Sequence, residues 1–184
     1  MTSDGLVPAG AALDIAELLR SKIRDIPDYP QPGIVFKDIT PLLADGPAFA
    51  AVIAAMAAGR EGVTKVAGIE ARGFIFAAPV AAALGAGFVP VRKLGKLPAQ
   101  TFAESYDLEY GSATLEVHTD AFAAGDLVLI VDDVLATGGT AAATAELVRR
   151  TGAELASIVV LLELGLLAGR AKLPGLEVRS LLAV

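Results

Sequence analysis

The chain has 184 residues, a length that fits one domain with a sizeable core. Its formal net charge of −6 argues against a surface that binds nucleic acid broadly, so any polyanion must be held locally by a few basic groups and backbone N–H donors. With no cysteine and a single histidine, the sequence excludes disulfides, thiolate metal sites, cysteine nucleophiles and His-rich metal centres.

The N-terminal part predicts a mobile end, a helix and an irregular segment. Residues 1–10 show no clear periodicity, and because no basic and apolar leader opens the chain, we expect a cytoplasmic protein. Apolar residues recur at helical spacing over 13–23 and predict an amphipathic helix. The proline-rich stretch 26–33 predicts an ordered loop leading into residues 34–38, and Pro47 opens a second helix that ends near Gly59.

Strand and helix patterns alternate along the rest of the chain. Strands are predicted at residues 65–69, 87–91, 113–118, 126–132, 157–162 and 176–182. Helices are predicted at residues 74–84 and 140–150. The strand at residues 113–118 is predicted to lie at an edge of the sheet, and residues 94–111 are predicted to form a polar loop. Prolines and glycines interrupt the uncharged run 74–91, so we expect no membrane span. The repetition predicts an α/β domain with a doubly wound, mainly parallel sheet flanked by helices.

The clearest chemical signal lies in residues 131–140. Two carboxylates follow the most apolar strand, at the end where open α/β sheets bind ligands, and they suit the vicinal hydroxyls of a ribose. Glycines that let the backbone approach, threonine hydroxyls and a helix N-terminus follow, and together they suit a phosphate. The alternative is an ordinary helix cap. The predicted ribose-phosphate site consists of Asp132, Asp133, Ala136, Thr137, Gly138, Gly139 and Thr140.

Two further segments predict anion binding from their residue types. Arg72 precedes Gly73 after a predicted strand, a flexible place from which a guanidinium can clamp pyrophosphate with two hydrogen bonds. Arg92, Lys93 and Lys96 place three cations within five residues of an acidic chain. The alternatives are an ordinary surface arginine and a solvated basic turn.

The segment 131–140 matches the signature with which phosphoribosyltransferases hold phosphoribosyl pyrophosphate (PRPP), and four other blocks resemble the adenine phosphoribosyltransferases. Residues 23–43 resemble their base-covering segment, 68–74 their pyrophosphate loop, and 91–98 and 105–111 the two ends of their mobile catalytic loop. The resemblance implies a single domain over 1–184 with the type I phosphoribosyltransferase fold, a small N-terminal hood at 24–45, a mobile loop at 94–111, and a homodimer.

The resemblance also implies the roles of individual residues. The catalytic groups would be Glu109, Arg72, Lys93 and Lys96, with Glu109 handling a proton on the purine, although a surface glutamate is the alternative. Pyrophosphate would be bound by Glu70, Ala71, Arg72, Arg92, Lys93 and Lys96, with a strained, cis-capable peptide at Glu70–Ala71. Adenine would contact Val35, Phe36, Lys37 and Leu135. Lys37 stands where the family usually has arginine, which matters if the contact runs through the side chain and little if it runs through the backbone.

The expected reaction is the conversion of adenine and PRPP to AMP and pyrophosphate through an oxocarbenium-like transition state. Mg²⁺ would be carried by the substrate's oxygens, with Asp132 and Asp133 available to its water ligands. We expect neither nucleic acid nor membrane as a partner. The alternatives are a 6-oxopurine phosphoribosyltransferase and a non-catalytic regulator that senses PRPP.

Overall fold

The computed structural model describes residues 14–107 and 111–184, in which a helix and a hairpin precede alternating strands and helices. The first part comprises α1 (Ile15–Lys22), β1 (Arg24–Pro27), β2 (Val35–Asp38), α2 (Thr40–Ala44) and α3 (Gly46–Ala57). The middle part comprises β3 (Lys65–Ile69), α4 (Gly73–Leu84), β4 (Gly87–Lys93), β5 (Thr101–Asp107) and β6 (Ser112–His118). The last part comprises β7 (Leu127–Leu135), α5 (Gly139–Arg150), β8 (Glu154–Glu163), two 3₁₀ turns (Gly165–Leu167 and Gly169–Lys172) and β9 (Val178–Ala183).

Seven strands form the central sheet in the order β5-β6-β4-β3-β7-β8-β9. The five strands from β4 to β9 in this order pair in parallel, whereas β5 and β6 are antiparallel. The separate hairpin β1–β2 forms the hood. The prediction of a doubly wound, mainly parallel α/β sheet with a small N-terminal hood is confirmed.

The central strand β7 is buried on both faces, which explains its continuous apolar sequence. Leu129 and Val131 pack into a core cluster with α1, α3 and α4, whereas Val128 and Ile130 pack into a second cluster with α5. Side chains alternate between the two faces of a strand, so helices must cover both. The carboxyl end of β7, where Asp132 and Asp133 stand, is therefore held by the most buried part of the chain.

The prediction of a loop over residues 94–111 is wrong for its central part. Residues 101–107 form β5, which pairs with β6 along seven positions, so β5 and not β6 occupies the edge. Phe102 and Tyr106 are four residues apart and therefore lie on the same face of β5, where both pack against the second core cluster. The polar residues between them hide this alternation from a count of hydrophobic residues.

The prediction of an irregular segment over residues 26–33 is wrong at its start. Ile26 and Pro27 belong to β1 and pair with Phe36 and Val35 of β2. Proline is tolerated there because Pro27 is the last residue of β1 and both strands of a two-stranded hairpin are edge strands. Residues 1–10 lie outside the described part of the chain. Among the described residues, no helix has both the length and the hydropathy needed to cross a bilayer.

Candidate active site

The site lies where the carboxyl ends of two neighbouring parallel strands meet. Gly68 of β3 pairs in register with Val131 of β7, so the turn after β3 faces the carboxylates near the carboxyl end of β7. A Cβ atom added to Gly73 would lie 2.7 Å from Asp132 Oδ1 and 3.1 Å from the Val131 carbonyl oxygen. Helix α4 can begin this close to Asp132 only because Gly73 has no side chain. The predicted pyrophosphate loop and the predicted ribose site are thus adjacent.

Asp132 and Asp133 form a close acidic pair with one cation beside it. Arg72 Nε lies 2.7 Å from Asp133 Oδ2, but its N–H is not directed at that oxygen, which has no hydrogen-bond donor among the described residues. The backbone N–H of Asp133 donates to Asp132 Oδ1 at 2.8 Å. The pKa of Asp132 is raised well above its usual range because its carboxyl group is withdrawn from water and faces the charge of Asp133. This pair is suited to accept hydrogen bonds from donors such as ribose hydroxyls.

The turn between β7 and α5 has the geometry of an anion site. Gly138 has a φ of +80° and is the N-cap of α5, a left-handed conformation that glycine adopts without strain. Helix α5 has no acidic residue in its first turn, so the positive end of its dipole is not neutralised. Thr137, Gly138 and Thr140 line a small cavity of about 60 Å³ together with Asp132. Backbone N–H groups at such a terminus bind phosphate.

Tyr106 of β5 closes this turn from the side, a contact that the sequence analysis missed. A Cβ atom added to Gly139 would lie 2.8 Å from Tyr106 Cδ2, so the ring packs directly on the start of α5. The Thr140 hydroxyl donates to the Tyr106 hydroxyl at 3.3 Å. The alternation of side chains along a strand places Tyr106 on the same face as Phe102, and this alternation could have predicted that the tyrosine faces inward.

Three of the predicted pyrophosphate ligands converge on Glu70. Lys96 Nζ lies 2.8 Å and Arg92 Nη2 3.3 Å from Glu70 Oε1, and the Lys93 backbone N–H donates to Oε2 at 3.1 Å. Burial opposes ionisation of this carboxyl, but the hydrogen bonds from Lys96, Arg92 and Lys93 outweigh it and lower the pKa from 4.5 to about 2. Glu70 therefore stays ionised and organises the cations. The peptide Glu70–Ala71 is cis, as the resemblance implied.

Arg72 pairs with Asp133, whereas Arg92 and Lys96 pair with Glu70. The guanidinium carbon of Arg72 lies over the Phe36 ring at 5.2 Å from the centroid, while Nε approaches Asp133. Phe36 also meets the ring of Tyr29 edge-on, with centroids 5.3 Å apart. Arg72 thus joins the hood to the acidic pair, and Arg92 and Lys96 form a second group at the end of β4.

The hood borders a cavity with a volume of about 650 Å³. The turn between β7 and α5, residues 136–138, is called the phosphate turn below. The cavity is lined by hood residues, one residue of the phosphate turn and residues after β8: Gly33, Ile34, Val35, Lys37, Thr137, Leu164, Leu166, Leu167 and Val184. Lys37 Nζ is paired with Asp25 Oδ1 at 2.7 Å, so its side chain is engaged across the hairpin. Leu135 is only 2% exposed and packs in the second core cluster. The cavity's size and apolar lining suit a small planar ligand.

Glu109, the predicted acid–base group, lies outside the described residues. It follows β5 by two positions, and the chain resumes at Gly111 before β6. Ala71 and Ala136 occupy the turns after β3 and β7, next to the groups that they were predicted to accompany. Among the described residues, no group of three or more His, Asp or Glu side chains could hold a metal ion.

Comparison with known proteins shows which family this chain resembles. A family model described as "Phosphoribosyl transferase domain" matches residues 42–173. Adenine phosphoribosyltransferase from Streptomyces coelicolor is 66% identical over 161 residues, covering 86% of this chain and 88% of the relative. The enzyme of that name from Thermobifida fusca is 61% identical over 173 residues, covering 93% of this chain and 98% of the relative.

Solved structures give the same result for the fold. Adenine phosphoribosyltransferase from Rhodothermus marinus superimposes with a TM-score of 0.88 and 51% identity, covering 92% of this chain and 98% of its own. The enzyme from Saccharomyces cerevisiae, complexed with an imino-altritol bisphosphate and adenine, gives a TM-score of 0.85 and 39% identity, covering 91% of this chain and 98% of its own.

Proposed function

This chain belongs to the adenine phosphoribosyltransferase family, and from that membership we propose that it converts adenine and PRPP to AMP and pyrophosphate, a purine salvage reaction. The observation that carries the proposal is the meeting of an acidic pair, a helix N-terminus and a cation group at the carboxyl ends of β3, β4 and β7. The acidic pair suits ribose, the helix N-terminus suits the 5-phosphate, and the cations suit pyrophosphate.

The carboxylates and the phosphate turn hold the sugar. Ribose hydroxyls donate to Asp132 and Asp133, and the 5-phosphate accepts from the N–H groups and hydroxyls of residues 137–140. The unpartnered Oδ2 of Asp133 supports this assignment, because a buried acceptor without a donor is costly. As the bond between the anomeric carbon and the pyrophosphate oxygen breaks, positive charge grows on the ribose. The negative charge of the acidic pair nearby stabilises it.

The cation group receives the charge of the leaving pyrophosphate. Arg92, Lys93 and Lys96 supply positive charge at the end of β4, and Arg72 supplies a guanidinium between the ribose and the base. Mg²⁺ carried by the oxygens of PRPP would supply further charge neutralisation there, with Asp132 and Asp133 available to its water ligands. The close pair of Asp132 and Asp133, with the raised pKa of Asp132, fits a neighbouring cation and its water ligands.

The hood selects the base. The Phe36 ring offers an apolar face, and the backbone of Val35 and Lys37 along β2 offers donors and acceptors to the purine edge. The pairing of Lys37 with Asp25 supports a backbone contact over a side-chain contact. Leu135 contributes little surface, since it is almost fully buried. Glu109, on the segment after β5, exchanges the proton on the purine ring.

We propose that residues 1–184 act as one domain in which 24–45 cover the base and 94–111, now seen to include β5, move over the substrates. PRPP and AMP are highly charged, which supports a cytoplasmic reaction.

A homodimer is supported by an apolar face on α4 and β4, where Ile75 is 39% and Phe88 37% exposed beside Phe74. Light scattering on the chain and on an Ile75→Glu variant tests the dimer, with a shift to monomer expected in the variant.

Product detection in assays with PRPP and each of adenine, hypoxanthine and guanine tests the activity. We expect AMP from adenine and at most slight turnover of the two 6-oxopurines, because a pocket built for an amino group leaves polar groups unpaired against a carbonyl oxygen. PRPP binding without turnover of any base would favour a sensor, and preferred turnover of hypoxanthine would favour the 6-oxopurine alternative.

A further inference from the structure

The nine residues 164–172, which we call the C-terminal clamp, connect β8 to the segment before β9 and back the phosphate turn. Two backbone bonds fix the start of the clamp: Leu164 N–H donates to the Leu135 carbonyl, and Gly165 N–H to the Val184 carbonyl, both at 2.9 Å. The clamp is thus tied to the end of β7 just before the phosphate turn begins.

Gly169 of the clamp touches the phosphate turn backbone to backbone. A Cβ atom added to Gly169 would overlap the Ala136 carbonyl oxygen and lie 3.1 Å from both Gly138 N and Leu135 Cγ. Conversely, a Cβ atom added to Gly138 would overlap the Gly169 carbonyl oxygen. Backbone atoms cannot swing aside as a flexible side chain can, so the position of residue 169 limits the position of residues 136–138.

Arg170 anchors Gly169 to the sheet. Its Nε and Nη2 donate to the two carboxylate oxygens of Glu163 at 2.6 and 2.7 Å, and its Nη1 donates to the Val178 carbonyl at 2.7 Å. Ser180 of β9 donates to Glu163 Oε2 at 2.8 Å. The hydrogen bond from Arg170 is the main cause that lowers the pKa of Glu163. A bidentate pair of this kind fixes orientation as well as charge.

We propose that the C-terminal clamp is a positioning element for PRPP binding: Gly169 sets the path of the phosphate turn, and the Arg170–Glu163 pair holds Gly169 in place. This inference rests on the proposed function, because it assumes that residues 136–140 bind the 5-phosphate. Neither Gly169 and Arg170 of the clamp nor Glu163 of β8 needs to touch the substrate. Their effect is carried by backbone contact to Ala136 and Gly138.

The decisive comparison is Gly169→Ala against Gly165→Ala, the same substitution four residues apart in one segment. A Cβ atom at Gly165 meets only the Val184 carbonyl oxygen at 3.6 Å, an ordinary contact. We expect Gly169→Ala to raise KM for PRPP on the order of 10-fold to 100-fold, since displacement of a binding loop by about 1 Å has effects of that size. KM for adenine should change less, and Gly165→Ala should match the wild type within about twofold.

Arg170→Lys provides a second and milder variant. It keeps the positive charge but loses the two-pronged contact with Glu163, so KM for PRPP should rise by a smaller factor than in Gly169→Ala. Thermal unfolding of all three variants separates positioning from folding. If Gly169→Ala does not fold, the Arg170→Lys result decides.

Calorimetric titration with PRPP and Mg²⁺ measures the same affinity without base transfer. A wild type that binds PRPP but forms no AMP would contradict the proposed function and leave this comparison intact. Equal PRPP affinity in the Gly169→Ala and Gly165→Ala variants would overturn the inference. So would an adenine KM that rises as much as the PRPP KM, because that result indicates general disruption.

Discussion

The guanidinium of Arg72 lies against the carboxylate of Asp133, with Nε 2.7 Å from Oδ2, and its other face covers the Phe36 ring. One cation therefore contacts both the group proposed for the ribose and the group proposed for the base. Sequence reasoning placed Arg72 among the catalytic groups and the pyrophosphate ligands, and with neither the ribose nor the base. The contact gives it a further role in compensating the charge of Asp133 beside Asp132, whose pKa is raised by burial and by that neighbouring charge.

Replacement of Arg72 by lysine tests this role. Arg72→Lys keeps a charge but cannot both pair with Asp133 and stack on Phe36, so we expect kcat/KM for PRPP to fall on the order of 10-fold, as for loss of a cation–π contact. Arg149→Lys is the control, because Arg149 pairs with Glu146 on the exposed surface of α5. Steady-state kinetics with varied PRPP give the measurement, and equal kcat/KM in the two variants would contradict the role.

Acid titration of stability tests the Glu70 cluster. The pKa of Glu70 is about 2 in the folded chain against 4.5 for an ordinary glutamate, so its ionisation stabilises the fold. That contribution is complete above about pH 4.5 and is lost as the pH falls toward about 2. In Glu70→Gln it is absent, so the free energy of unfolding should fall less steeply from about pH 5 to about pH 3 than in the wild type.

Urea unfolding at several pH values measures this difference. Glu61→Gln, at an exposed position after α3, serves as the control and should follow the wild-type pH dependence. A Glu70→Gln curve parallel to that of the wild type would show that the cation group does not depress the Glu70 pKa.

Two neighbouring substitutions in the hood separate side-chain from backbone recognition of the base. Phe36→Ala removes the apolar face, and we expect KM for adenine to rise about tenfold from lost aromatic contact. Lys37→Arg should leave it within about twofold, because the Lys37 ammonium is engaged by Asp25. Adenine titrations at saturating PRPP compare them. A marked change in Lys37→Arg with none in Phe36→Ala would assign recognition to the side chain at 37.

Glu109→Gln tests the acid–base proposal for the segment after β5. We expect kcat to fall by about 10²-fold to 10⁴-fold, the usual contribution of a general acid or base, with little change in KM for PRPP. Glu104→Gln is the matched control, since Glu104 lies on β5 and pairs with Arg150 on α5. Full turnover by Glu109→Gln would remove the assigned role.

Particular residues show how far the sequence carried the structure. Strand β7 was recognisable because burial on both faces requires a continuous apolar run. The turn after it was recognisable because an anion site at a helix N-terminus requires a contiguous group of residues. Strand β5 was missed because Phe102 and Tyr106 are separated by polar residues, and their burial depends on α5, which lies far along the chain. Strand β1 was missed because prolines obscured a hairpin of only four pairs.

By itself, the sequence determined the α/β architecture and the family and predicted the ribose-phosphate segment, since each depends on residues that are near neighbours along the chain. Only the tertiary structure decided that Arg72 meets Asp133, that Glu70 collects Arg92 and Lys96, and that Gly169 limits the phosphate turn. Those contacts join residues 22 to 61 positions apart, the limits being Glu70 with Arg92 and Arg72 with Asp133. They are set by strand order and register, which no local pattern encodes.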